Sequence, residues 1–240
     1  MKKRILSVSL VAAMLAVGVV GGTMAYLNDS DYDKNVMTAG YVTIEQLEED
    51  QAGNDVSGGS FHLVPAVGTP DYTVNEYGVK VFDDAQFKNV KDKFISVVNT
   101  GSENAFVRTI ILMEAAGSEL VGTLNDDCDG QAMNPVWLGD GTNLQVTVSG
   151  EVYDVYVCTY NTALTPGQES EPSLKQVYLN NAADNTWYDT IGADHAFNIH
   201  AFSQAVQEQG FSDANTALNT AFGEVNAENM AAWIASLNIQ

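Results

Sequence analysis

Short runs rich in Val, Ile, Tyr, Phe and Thr recur along the chain, at 41–47, 94–98, 105–113, 144–148, 152–160, 174–179 and 196–206. Such runs, separated by polar and turn-forming residues instead of helical spacing, predict β-strands. The connections carry turn chemistry. Asn99-Thr100-Gly101-Ser102-Glu103-Asn104 stands between two apolar runs as a hairpin loop would, and Ser149-Gly150-Glu151 does the same more tightly. Pro166-Gly167 suits the two central positions of a type II turn. The pattern predicts an all-β, sandwich-type fold and not a βαβ enzyme. Two irregular stretches, 48–59 and 115–143, read as long surface loops, with Val136-Trp137-Leu138 tucking back as a short strand.

The period changes at the end of the chain. Ala214, Ala217, Leu218, Ala221 and Phe222 follow helical spacing, with Ser212 as the expected N-cap and Gly223 as the stop. A second helix is expected from Asn226 to Leu237, with Met230, Trp233, Ile234 and Leu237 on one face. Both helices are expected to pack on the domain. The chain contains no internal repeat.

The opening residues form a separate device. Met1-Lys2-Lys3-Arg4 precedes an apolar run from Ile5 to Val20 and the small residues Gly21-Gly22-Thr23-Met24-Ala25. A positive start, an apolar centre and small residues before the junction describe an export signal cut between Ala25 and Tyr26. Membrane association is expected only through the uncleaved leader. The organisation that follows is a signal peptide at 1–25, an N-terminal segment at 26–40, a β domain at 41–211 and a helical tail at 212–240.

Charge narrows the partners. Loss of Lys2, Lys3 and Arg4 leaves seven basic residues against 31 acids, a formal charge of −24. Such a field repels nucleic acid and anionic lipid and keeps the protein soluble. Lys88, Lys91 and Lys93 make one small basic cluster, expected to be a solvated strand end.

Candidate chemistry is sparse. Cys128 and Cys158 are the only cysteines, and in an exported protein they are either a disulfide or two separate thiols. His62, His195 and His200 are the only histidines. The spacing of His195 and His200 puts them on opposite faces of a strand, so they are read as satisfied structural side chains. Neither a zinc-protease helix, a nucleophile elbow nor a phosphate loop is present in the sequence, and the chain is expected not to be an enzyme. Asn125, Asp127 and Asp129 before Gly130 imitate the start of a calcium loop, but Val136 stands where the bidentate Glu belongs. A looser Ca²⁺ site on Asn125, Asp127 and Asp129 is the sole metal candidate, and no other cofactor is expected.

The leader "VGVVGGTMAYLNDSD", the stretch "KNVMTAGYVTIEQLEE", the segment "FISVVNTGSENAFVRTII", "ALTPGQESEPSLKQVYL" and the last strand "FNIHAFSQAVQEQGF" together resemble the TasA/camelysin family. The resemblance runs in order from the leader to about Phe211. It implies a jelly-roll-like β-sandwich, processing by a SipW-type signal peptidase, and a secreted subunit of surface or biofilm-matrix fibres of a Gram-positive bacterium. It also implies that the freed N-terminal segment inserts as a donor strand into the next copy, making the chain its own partner, with an accessory assembly protein as a further candidate.

Read at period two, Tyr26, Tyr32 and Val36 share the face expected to insert, and Asp29, Asp31 and Asp33 share the face expected to stay in solvent. The other readings are a monomeric cell-surface adhesin or Ca²⁺-dependent binding module, and a camelysin-like secreted protease, for which the sequence supplies no zinc motif.

Overall fold

The computed structural model of the chain describes residues 28–31, 42–58, 63–75, 78–115, 119–125, 137–139, 143–183, 197–237 and 239. The leader, the Ala25–Tyr26 junction, Tyr32, Val36, His62, Asp127, Cys128, Asp129 and His195 lie outside these residues.

Strands dominate: β1 (Asn28–Asp31), β2 (Ile44–Glu49), β3 (Val67–Gly68), β4 (Tyr72–Val74), β5 (Lys80–Phe82), β6 (Phe87–Lys88), β7 (Lys91–Asn99), β8 (Ala105–Glu114), β9 (Leu120–Leu124), β10 (Trp137–Gly139), β11 (Gln145–Val148), β12 (Glu151–Tyr160), β13 (Leu174–Leu179) and β14 (Ile199–Gln207). Two helices follow, α1 (Ala214–Phe222) and α2 (Ala227–Leu237).

A six-stranded sheet runs β1-β14-β8-β12-β10, with β11 also beside β12, and a four-stranded sheet runs β2-β7-β13-β9. From β7 to β10 and again from β12 to β14 the chain passes from one sheet to the other, and β10, β11 and β12 stay within the six-stranded sheet. The fold is an all-β sandwich with a C-terminal helical segment.

Between the sheets Ile44, Ile95 and Val97 meet Val107, Ile111, Cys158, Leu174, Val177, Ala201 and Ala205. The far face of the six-stranded sheet is buried as well: Ile110, Leu112, Val155 and Phe202 pack under Met230 and Ile234 of α2. Phe106 and Val206 pack under Ala217 and Leu218 of α1. This double burial explains why β8 reads as an almost unbroken apolar run with no alternation, buried at every position but its last.

Several connections follow the sequence reading and some depart from it. Ser149 and Gly150, with φ of 53° and 101°, join β11 to β12 as a two-residue hairpin; positive φ at both central residues matches the twist of the paired strands. The Pro166-Gly167 turn closes with Gln168 N–H donating to Thr165 O at 2.9 Å.

The segment after Asn99 is not a hairpin, because β7 and β8 lie in different sheets. Asn99, fully buried, holds this crossing: its side chain donates to Glu103 O and Leu164 O, both at 2.8 Å, and accepts from Gly101 N–H at 2.9 Å. The N-cap of α1 is Asp213 instead of Ser212, since the Asp213 carboxylate accepts from Thr216 N–H at 2.8 Å while Ser212 donates to Asp213. Lys93 is no solvated strand end: its side chain is 6% exposed and pairs with Glu48.

Arg108 fastens the tail to the sheet. It is 2% exposed, and its guanidinium donates to Gln204 Oε1 at 2.6 Å, Asn219 Oδ1 at 2.9 Å and Gly223 O at 3.0 Å. The Trp233 ring lies 5.1 Å from the same cation. One side chain thereby ties β8 to β14, to α1 and to the turn before α2, and supplies charge-assisted bonds where water is excluded. Arg108→Ala is expected to cost about 3 kcal/mol in denaturant unfolding, from several lost bonds to a charged group and stranded acceptors. Limited proteolysis should then cut first near residues 208–226.

Candidate functional site

The element that decides what this fold can do is β14. On one side it pairs with β8 along its whole length, from Ile199 opposite Met113 to Gln207 opposite Ala105. On the other side it pairs with β1 over four residues only: Asn28 opposite Val206, Asp29 opposite Ala205, Ser30 opposite Gln204 and Asp31 opposite Ser203. Along Ile199–Phe202 no strand among the described residues covers that side. A side chain does part of the work there, because Gln46 Nε2 donates to Ala201 O at 3.1 Å.

Both faces of β14 are fixed. Towards the sandwich interior, Ser203 Oγ donates to Gln46 Oε1 at 2.8 Å and lies 3.0 Å from Thr109 Oγ1. Ala201 and Ala205 pack beside it in the core. Towards the helices, Phe202 meets Trp233, Gln204 accepts from Arg108, and Val206 lies under α1. The β14 edge is therefore a rigid, preformed row of main-chain donors and acceptors, the kind of surface that takes an added strand.

A second feature is a cavity of about 400 Å³ lined by Glu49, Asp50, Phe94, Tyr160, Glu169 and Glu171, among others. The Glu49 carboxyl is pushed above its usual range by burial and then by the charges of Glu169, Asp55 and Asp50. The hydroxyls here are engaged: Ser96 Oγ donates to Glu169 at 2.6 Å, and Ser170 Oγ accepts from Val97 N–H at 3.0 Å. Among its lining residues there is no histidine or cysteine to build a nucleophile–base pair.

The expected site residues are distributed as follows. Asn125 is buried, donates from its side chain to Glu171 at 3.3 Å and from its N–H to Ser173 O at 2.8 Å. Its companions Asp127 and Asp129 lie outside the described residues, and among those described no three His, Cys, Asp or Glu side chains gather to hold a metal ion. Cys158 is fully buried in the core between the sheets, while Cys128 lies outside the described residues. Tyr26, Tyr32 and Val36 lie outside the described residues, and β1 lies between Tyr26 and Tyr32 in the sequence.

His200 is not the satisfied side chain expected. It stands beside the Tyr153 ring at 5.4 Å, and its Nε2 is buried with no hydrogen-bond partner among the described residues. Sequence reasoning missed β14 as a partly open edge. Its strand character was legible, but its place in the sheet order depends on pairings with segments nearly a hundred residues away or more.

Compared with known proteins, the chain matches no family model, no curated protein and no solved structure.

Burial lowers the pKa of His200 from its ordinary 6.5; the Glu48 charge opposes this and Lys93 adds to it. The folded chain thus favours neutral imidazole, whereas the unfolded chain binds a proton near pH 6.5. The stability this provides is complete above that pH and is lost as pH falls toward the depressed folded value, by at most about 1.4 kcal/mol per pH unit. His200→Phe should flatten the loss of stability as pH falls below about 6.5, measured by urea unfolding.

Proposed function

We propose that this chain is a secreted structural subunit that assembles head to tail into extracellular or matrix fibres, by adding its N-terminal segment to the β14 edge of the next copy. The observation that carries the reading is β1: residues 28–31, just after the expected cut at Ala25, form a strand, and the edge they choose is β14. The same edge on another copy presents the same main-chain groups and could take the same segment. A contact of this kind is heterologous, and when it does not close into a ring it propagates as a filament.

Three further features support the reading. The leader delivers the chain outside the cell, and its removal frees the segment that would insert. The formal charge of −24 after cleavage keeps subunits soluble before a specific contact forms. The resemblance to TasA/camelysin proteins, carried by the leader junction, the Asn-Thr-Gly crossing and β14 itself, points to the same class of subunit.

A segment longer than β1 gains by insertion. In the β1 register, continuation past Asp31 brings Tyr32 opposite Phe202 and Lys34 opposite His200, and so covers the part of the edge that β1 leaves open. Each added residue contributes ladder bonds and cross-strand contacts of a few tenths to about 1 kcal/mol.

Purified chain beginning at Tyr26 should form filaments in negative-stain electron microscopy, and the chain lacking residues 26–40 should remain a monomer by light scattering. Equal assembly by the shortened chain contradicts strand insertion. A full-length monomer whose melting temperature rises with Ca²⁺ points instead to a binding module.

A further inference from the structure

The pairing of β1 with β14 occurs within one chain, so an isolated subunit occupies part of its own acceptor edge. We propose that this contact is autoinhibitory: β1 closes Ser203–Val206 in the free subunit and must leave before a second copy can donate its segment. This inference rests on the fibre reading above and adds the state from which assembly starts.

The geometry makes β1 a competitor that is present but weak. It is tethered through residues 32–43 to β2, whose side chain Gln46 reaches β14 directly. A short tether holds the segment at an effective concentration in the millimolar range, far above that of other subunits in dilute solution. The pairing nonetheless covers four residues at the end of a nine-residue strand.

Insertion from another copy is free of the tether and can run along the full edge, beyond the four residues that β1 covers. Release of β1 is then the slow step of an exchange that ends in a longer pairing.

Asp31→Cys with Ser203→Cys places two cysteines at directly opposed positions, and cysteine is close to serine in size. Oxidised as a dilute monomer, the protein should form an intrachain 31–203 link, identified by peptide mapping, and should lose filament formation on seeds of the unsubstituted chain. Reduction should restore it. If the linked monomer elongates seeds as fast as the reduced one, or if no intrachain link forms, the autoinhibitory contact is refuted while the fibre reading stands. If the unsubstituted chain makes no filaments at all, the fibre reading itself has failed. Should the variant not assemble even when reduced, Asn28→Cys with Val206→Cys at the other end of the pairing gives the same two-way decision.

Discussion

A strand with strong pairing on one side and little on the other leaves main-chain groups that must be satisfied by something. In this protein that strand is β14, paired with β8 over its full length and with β1 over less than half. Much else in the structure supports its rigidity. The polar contacts of Gln46, Ser203 and Thr109 fix its inner face, Arg108 and the helices fix its outer face, and β8 is buried on both sides beneath it. An edge held this firmly cannot relieve its unpaired groups by bending away. Here β1 of the same chain relieves it over Ser203–Val206.

This arrangement gives the helical tail a structural meaning. A β-sandwich exposes the outer face of each sheet, and an apolar outer face would be an aggregation surface. Here α1 and α2 cover the outer face of the six-stranded sheet, and Arg108 ties sheet and helices together through neutral acceptors. Burying a cation is costly unless its donors are satisfied. Three hydrogen bonds and an aromatic face meet that requirement. That face is therefore closed to solvent, while the β14 edge beyond Ser203 keeps main-chain groups that no strand among the described residues covers.

The fold class was legible from the chain because β-branched runs and turn chemistry are local signals. Residues 105–113 and 152–160 fall almost on β8 and β12. Departures arose where the deciding partner is distant in sequence. The Asn99 crossing carries a turn-like motif, but its bonds to Leu164 O and Gln168 O, not the motif, send the chain to the other sheet. β9 was hidden in a stretch read as loop, since Gly122 weakens its strand signal. A Cβ there would come within 2.7 Å of Met113 Sδ, so the glycine leaves room for that side chain. Lys93 looked like part of a solvated cluster until Glu48, on a neighbouring strand, was seen beside it. The candidate site shows the same division. A strand in the segment after Ala25 was expected from the sequence, whereas its pairing with β14 is visible only from the sheet order.

The central claim is that residues of the 26–40 segment pair with β14 of another copy. Fibres grown from an equal mixture of ¹³C-labelled and ¹⁵N-labelled chains test it directly, because ¹⁵N–¹³C transfer then reports only contacts between different chains. The account predicts intermolecular cross-peaks between the 26–40 segment and residues 199–206. Cross-peaks confined to other surfaces, with none joining these two segments, would contradict it.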